Sequence, residues 1–565
     1  MARRKLKPPV PKPPNPVRTE VPGFWETRGL PFLERRSLAL AVCLIAVASI
    51  RIAATYSQLG LIFDEPGHMA CGLEYLAKHV YRYETQHPPL ARVMSALGPY
   101  LDGARTSGEP DREREGVGVI LRSGHPDRTV FLMRLGILPF FLLASLVVYF
   151  WARHHFGNSV AAVATALFSL LPPVLAHAGL ATTDMALAAC LGAAFFALVL
   201  WAEAPTWKRS GLLGVTAALA ALSKFTALGF LPAGAVLALL SYLAVARPGR
   251  KKLAALAKER ARPFGLAVLT GALVIWAGYL FSFGKVPGWN LPLPAPEFFD
   301  GIRSAISHNQ QGHPAYLLGQ VSSQGWWYYF PVALAVKTPL AFLLLLALGM
   351  YVGWRKRAQT AAWLPLAFSL GILLSAMTGK VNIGVRHVLP VYIGFSIVAG
   401  AALVQLAQWA QIRRWAGISA GLLLLWMAVT GAIYPADYLA YFNELVGSEP
   451  ERVLVDSDLD WGQNTRRLAK RLRELGVNEI SFGVANGRSE YLMTWPGLPR
   501  IHPINPVVPA EGWTAVSPTI DKTTQYGLYY RYPNVKPWFD QLQPVERVGS
   551  LLLYYVPPGS LRRPR

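Results

Sequence analysis

The stretch SLALAVCLIAVASIRIAATYSQLGLIFDEPGH, Ser37 to His68, decides the fold. Its first part, from about 37 to about 59, is an apolar run near the spanning length of about 20 residues. It gives way at once to two adjacent carboxylates, Asp64 and Glu65, with His68 one helical turn beyond Asp64. The run starts too far along the chain for a cleaved signal peptide, so it reads as an anchor that stays in the protein. The basic, Pro-rich residues before it (MARRKLKPPVPKPPNPVR) read as part of a disordered cytoplasmic tail, 1–36.

Working outward, the 565-residue chain is 53% hydrophobic and 15% charged, with a mean hydropathy of +0.31. Soluble domains carry about 25% charge. The shortfall and the repeated long apolar runs indicate a polytopic α-helical membrane protein. Eleven apolar segments follow from the pattern, at roughly 37–59, 131–152, 159–179, 183–202, 210–226, 229–247, 263–283, 331–353, 361–377, 388–407 and 415–434. The formal charge of +23 would suit nucleic acid in total but not in distribution. With the tail in the cytoplasm, Arg153, Lys208, Arg209, the loop RPGRKKLAALAKERAR, Arg355–Lys356–Arg357 and Arg413–Arg414 fall in cytoplasmic connections. The short external connections keep only Lys224, Lys380 and Arg386. That is the positive-inside asymmetry of a chain in a lipid bilayer, and it sets nucleic acid aside. Cys43 and Cys190 sit in apolar runs and Cys71 stands apart, so no disulfide framework or zinc spacing is available.

Three regions are left on the external face: loops at about 60–130 and about 284–330, and everything after about 435. In the last, RVLVDS reads as a strand and QNTRRLAKRLRELG as a helix stopped by Gly476, with EISFGV and LLLYYVPP as further strands. The expected division is the tail 1–36, a transmembrane unit 37–434, and a small extracytoplasmic α/β domain 435–565.

A carboxylate at a membrane edge, partly shielded from water, is placed to act as a general base. Transfer of a sugar at its anomeric carbon needs such a base for the acceptor hydroxyl, and cations to receive a departing phosphate. Asp64 and Glu65 fit the first requirement, though capping the loop helix is an equal reading. Asp184, in HAGLATTDMALAA at the external mouth of another segment, either faces a cavity or caps its helix. Lys224, Lys337, Lys380 and Arg386 with His387 supply cations at the same level; snorkelling explains any one of them, but less well the whole set. Glu65 and His68 lack the HExxH pattern of a zinc site.

The ordered set FDEPGHMACGLEYL, HPPLARV, ATTDMALAA, GLLGVTAALAALSKFTAL, GHPAYLLGQVSSQGWWYYFPVALAVKTPL, IGVRHVLPVY and DSDLDWGQNTRRLAKRL resembles bacterial members of the protein O-mannosyltransferase-like family 39 of the GT-C superfamily. The resemblance implies a polytopic hexosyl- or pentosyltransferase that takes a sugar from a polyprenyl-phosphate carrier and inverts the anomeric centre. It maps the catalytic base onto Asp64, with Glu65 and Asp184 in support. It gives the lysines and Arg386 the carrier phosphate; with the site placed there, HPPLARV reads as the turn that returns the loop to the membrane surface with His87 and Arg92 near the carrier, and His68 shares the helix face of Asp64. The inserted β-trefoil domain of eukaryotic relatives is missing, which puts a protein acceptor in doubt. A glycolipid or a polymer competes with it.

Two motifs stand apart. His313 and Trp326 in the middle loop suit sugar recognition or an interfacial aromatic belt. DSDLDWGQN alternates Asp456, Asp458 and Asp460 like a calcium loop, but Gly462 comes one place late and Arg467 stands where the bidentate Glu belongs. It reads instead as a strand-to-helix turn, or as an acceptor contact over the site. The sequence requires no cofactor and leaves the need for a divalent cation open. The expected location is the inner membrane of a bacterium, with the site outside. Competing classes are a transporter or flippase, disfavoured by acids at segment ends and the lack of a repeat, and a non-catalytic glycan-binding subunit.

Overall fold

The structure, a computed structural model, describes residues 23–289, 291–355, 359–410, 412–433, 436–483, 497–505, 507–508, 510–523 and 537–559. The tail at 1–22 and the charged pair Lys356 and Arg357 lie outside them. Each apolar segment falls on a helix or a bent helix pair. Among the described residues, seven single helices are long and apolar enough to cross a membrane: Trp25–Thr55, Pro126–Phe156, Asp184–Glu203, Ala227–Ala246, Arg250–Gly278, Val391–Trp409 and Arg414–Ile433. Two further helix pairs meet the same length and composition only together and are bent at a short break, Asn158–Leu170 with Pro172–Ala178 at 66° and Tyr329–Lys337 with Leu340–Arg355 at 117°. Helices Trp207–Ser223 and Thr360–Ala376 fill the remaining segments.

Local chemistry explains the breaks. Pro172 and Pro339 have no amide hydrogen to continue the ladder. At the second break the Asn443 side-chain amide donates to the carbonyls of Ala335 (2.6 Å) and Thr338 (2.8 Å), satisfying groups that hydrocarbon would leave bare. Two boundaries differ from the sequence reading. The first crossing begins at Trp25 rather than near 37, and RPGRKKLAALAKERAR is mostly the first half of the Arg250–Gly278 helix. Its Ala, Leu, Lys, Glu and Arg are strong helix formers. Lipid-facing helices show their apolar side outward, as at Leu239, Leu240, Val268 and Leu269. Val391–Trp409 runs through the centre, where Tyr392, Ile393, Ile397 and Ala402 are fully buried.

Two short hairpins, β1 (Phe283–Lys285) with β2 (Pro292–Pro294) and β3 (Ala315–Leu317) with β4 (Gln320–Ser322), frame the middle loop helix Pro296–Gln311. Among the described residues, the C-terminal domain holds a five-stranded sheet of β5 (Glu479–Gly483), β6 (Arg500–Pro503), β7 (Gly512–Val516), β8 (Glu546–Val548) and β9 (Leu551–Val556). Their spatial order is β6-β5-β7-β9-β8, parallel around β5 and antiparallel beyond β7. Helix Thr465–Glu474 lays Leu468 and Leu472 on Ile480, Phe482 and Leu553, and Gly476 ends it at φ +67°. RVLVDS is not a strand. It forms 3-10 turns at Pro450–Arg452 and Asp456–Asp458, because its backbone bonds to the membrane unit instead of the sheet: Leu318 N–H donates to the Val453 carbonyl at 3.0 Å. The three extramembrane regions therefore interlock, with Gly60 N–H on Gln463 O at 2.8 Å and Thr85 Oγ1 on Asp300 Oδ2 at 2.9 Å.

Candidate active site

The loop helix Asp64–Lys78 begins on the two acids, and they part company there. Glu65 is fully buried and accepts two hydrogen bonds from Arg134 (2.7 and 2.8 Å), one from Ala181 N–H (2.9 Å) and one from Ile62 N–H (3.1 Å). These four hydrogen bonds occupy both of its oxygens, and Glu65 is not among the residues that line the cavity described below. Asp64 turns the other way, 27% exposed, with Oδ2 at 3.1 Å from Arg386.

Arg386 links Asp64 to the second acid. Its guanidinium lies 3.6 Å from Asp184 Oδ2, while Lys224 Nζ donates to Asp184 Oδ1 at 2.6 Å. The four groups thus alternate in sign, with Asp184 wholly buried at the start of its helix. Thr183 makes no side-chain cap there, and Asp184 Oδ2 accepts no hydrogen bond among the described residues. Burial opposes the charge on Arg386, but Asp64, Asp184 and Asp456 outweigh it and raise its pKa above the ordinary value.

Asp64, Lys224, Arg386 and His387 are among the residues that line a cavity of about 1140 Å³. Its lining is mixed, with Arg112, Gln86, His87, His308, Asn309 and His313 polar and Phe225, Leu228, Phe230, Ile302 and Ile306 apolar. Burial, then Lys224 and Arg386, push the His387 imidazole well below its ordinary pKa. It is therefore neutral, with Nε2 unpartnered among the described residues.

Other residues expected at the carrier lie elsewhere. His68 and Arg92 are buried and do not line the cavity; Arg92 Nε donates to His68 Nδ1 at 3.0 Å and the guanidinium pairs with Glu84. That network carries His87 through its 3.3 Å contact with Glu84. Lys337 is buried and donates to the carbonyls of Leu439 (2.8 Å) and Asp458 (2.5 Å), above the Phe442 ring; it clamps the fold and does not line the cavity. Lys380 and Trp326 are also outside the lining; their backbone amides bond Asn309 and Asn382. Arg112, a cavity cation, was missed because PDREREGV reads as an ordinary solvated charge run. Among the described residues, His154, His155 and Glu203 bring three metal-capable atoms within 4.8 Å of one another. They do not line the cavity.

Asp456 stands beside this array. Burial pushes its carboxyl up to about 6, against the pull of Arg386 and His313. The folded chain then holds a proton that the unfolded chain releases from its ordinary 3.8 upward, so this contribution to stability falls as pH rises through that window. Asp456→Asn is expected to remove the loss. Melting followed by tryptophan fluorescence should show variant and wild type alike near pH 4 and the variant gaining by near pH 7. A difference that does not change with pH would contradict it.

Fold and site together define a polytopic membrane protein with a charged cluster lining a partly apolar cavity. Residues 128–280 match the family model described as dolichyl-phosphate-mannose-protein mannosyltransferase, a glycosyltransferase family, and this segment carries Arg134, Asp184 and Lys224. No curated protein matches the chain. Among solved structures, the chain is similar to ArnT from Cupriavidus metallidurans bound to undecaprenyl phosphate, at 15% identity over 91% of this chain and 97% of that one, with a TM-score of 0.49. It is also similar to the archaeal oligosaccharyltransferase AglB from Archaeoglobus fulgidus in complex with an inhibitory peptide and a dolichol-phosphate, at 12% identity over 84% of this chain and 62% of that one, with a TM-score of 0.44.

Proposed function

We propose that the chain is an integral inner-membrane glycosyltransferase of a bacterium. It moves a monosaccharide from a polyprenyl-phosphate carrier to an extracytoplasmic acceptor (a glycolipid, a polymer or a protein), with inversion in one displacement. The carrying observation is the Asp64–Arg386–Asp184–Lys224 array, three of whose members line a cavity that apolar side chains also line. The apolar lining suits a polyprenyl chain, and the array suits a phosphate beside a base.

In this reading Asp64 takes the proton of the acceptor hydroxyl as its oxygen attacks the anomeric carbon. The carbon–oxygen bond to phosphate breaks from the opposite face, and the phosphate leaves with the electron pair toward Arg386 and Lys224. A donor phosphate draws Arg386 away from Asp64 and frees the carboxylate to accept the proton. Asp184, buried against both cations, keeps them charged and aimed. The family match over 128–280 favours this transferase over a transporter. Lys224→Met and Arg386→Met are each expected to weaken undecaprenyl phosphate binding to the purified protein about 10- to 100-fold, the weight of a charge-assisted contact. Binding at the wild-type level in folded variants of both, checked by melting, would remove the carrier site from this cavity.

A further inference from the structure

DSDLDWGQN has no role in the chemistry just described, yet it touches both reacting sides of the array. Arg386 Nε donates to Ser457 Oγ at 3.0 Å, and the guanidinium carbon lies 4.0 Å above the Trp461 ring. With Asp64 on Nη1, the planar group is fixed at an edge, a face and a tip. Ser457 is fully buried and bonds onward to the Ile383 carbonyl. Asp458 accepts the Val385 N–H (2.9 Å) and the Tyr329 hydroxyl (3.3 Å). Gly384, at φ +142°, has no room for a Cβ because Ser457 Oγ stands there. The same segment reaches the other partner: Phe63 N–H, one residue before Asp64, donates to the Trp461 carbonyl at 3.2 Å.

The segment is itself held rigidly from the C-terminal domain. Asp460 is buried and accepts from Ser550 (3.0 Å) and Ser517, and Thr519 Oγ1 donates to the Asp460 carbonyl at 2.8 Å. Gln463 closes the turn on Trp461 N–H and the Leu459 carbonyl, both at 2.8 Å. Asp456 takes a left-handed φ of +58°, a conformation that persists only where surroundings enforce it. The aspartates thus serve as anchors for the turn, and its Ser457 and Trp461, both buried, meet Arg386.

We propose that Ser457 and Trp461 are positioning residues. They set the orientation of Arg386 between the two acids, so the C-terminal domain completes the site that the membrane helices begin. This deepens the carrier-phosphate reading of Arg386 and rests on it. A lysine at 386 could keep the charge but not the Ser457 edge or the stacked face, which makes the coupling measurable.

The test is undecaprenyl phosphate binding to the full-length purified protein, with melting recorded for each variant. Ser457→Ala and Trp461→Leu are each expected to weaken binding about tenfold in the wild-type background and less than about twofold in Arg386→Lys, the non-additivity of residues acting through one group. Trp461→Phe keeps a ring under the cation and is expected to restore most of the loss. A purely structural role would lower melting in both backgrounds and give additive losses, and additive losses or unchanged binding overturn the proposal. Ser457→Ala removes one hydroxyl and keeps the ring, so it decides the matter if Trp461→Leu does not fold. Wild-type binding in Arg386→Met overturns the carrier reading and this inference together. Weak binding in Arg386→Met with additive Ser457 and Trp461 effects overturns the inference alone.

Discussion

Asp64→Asn is expected to lower sugar transfer by about 10²- to 10⁴-fold, the range of a positioned general base, while undecaprenyl phosphate binding stays equal or becomes tighter. The two readouts move apart because Asp64 does two things in the resting site. In the proposed mechanism it supplies the carboxylate that accepts the acceptor proton, and it occupies the Arg386 guanidinium at 3.1 Å. The amide cannot accept that proton, so the chemical step loses its base. It also carries no charge, so the incoming phosphate no longer competes with an anion for Arg386, and a like charge disappears from beside its binding place. Asparagine is close to isosteric, and Asp64 is partly exposed, so folding should be little affected. The assay is transfer from a polyprenyl-phosphate sugar donor in vesicles, alongside binding of the bare carrier phosphate. Full transfer by the variant would move the base elsewhere. Binding weakened in step with transfer would make Asp64 a carrier ligand.

How far the sequence reaches is clearest at pairs of residues that look alike in it. The crossings are legible because an apolar run near spanning length has few alternatives, and the parallel between hydropathy and helices holds even where Pro172 and Pro339 break them. Asp64 and Glu65 are neighbours with the same chemistry. They are separated only by partners far along the chain: Arg134, 69 positions from Glu65, and Ala181, 116 positions away. Lys224 and Lys337 both stand at the end of an apolar helix. One meets a carboxylate and lines the cavity, the other meets two carbonyls and a phenyl face. Local pattern carries no information on which. RVLVDS fails as a strand for the same reason, since the Val453 carbonyl accepts from Leu318 N–H and the Asp456 N–H donates to Thr519 Oγ1. What the sequence did contain was the sidedness of charge, and that places acids and cations at one end before any contact is known.

Arg134→Met is expected to be the most destabilising single change, at about 3–5 kcal/mol, the cost of leaving one member of a buried ion pair behind. Both partners have no exposed side-chain surface. Arg134 also donates to the carbonyls of Leu59 (3.1 Å), Tyr56 (3.3 Å) and Gly60 (2.6 Å), which tie the end of the first crossing to the turn before Asp64. Methionine fills the volume but leaves the Glu65 charge and three carbonyls without this donor. Glu65→Gln should cost less, because an amide oxygen can still accept from Ile62 or Ala181 N–H while the guanidinium keeps its carbonyls. The double variant should recover part of the Arg134→Met loss by removing the stranded charge, but not all of it, since the carbonyls remain unsatisfied. Thermal unfolding in detergent gives the ranking, and transfer measured on the folded fraction gives the meaning. If Glu65→Gln melts like wild type yet loses transfer as Asp64→Asn does, Glu65 is the chemical acid and the division between the two neighbours is reversed. If it melts early and its folded fraction transfers normally, Glu65 and Arg134 act by holding in place the turn from which Asp64 projects.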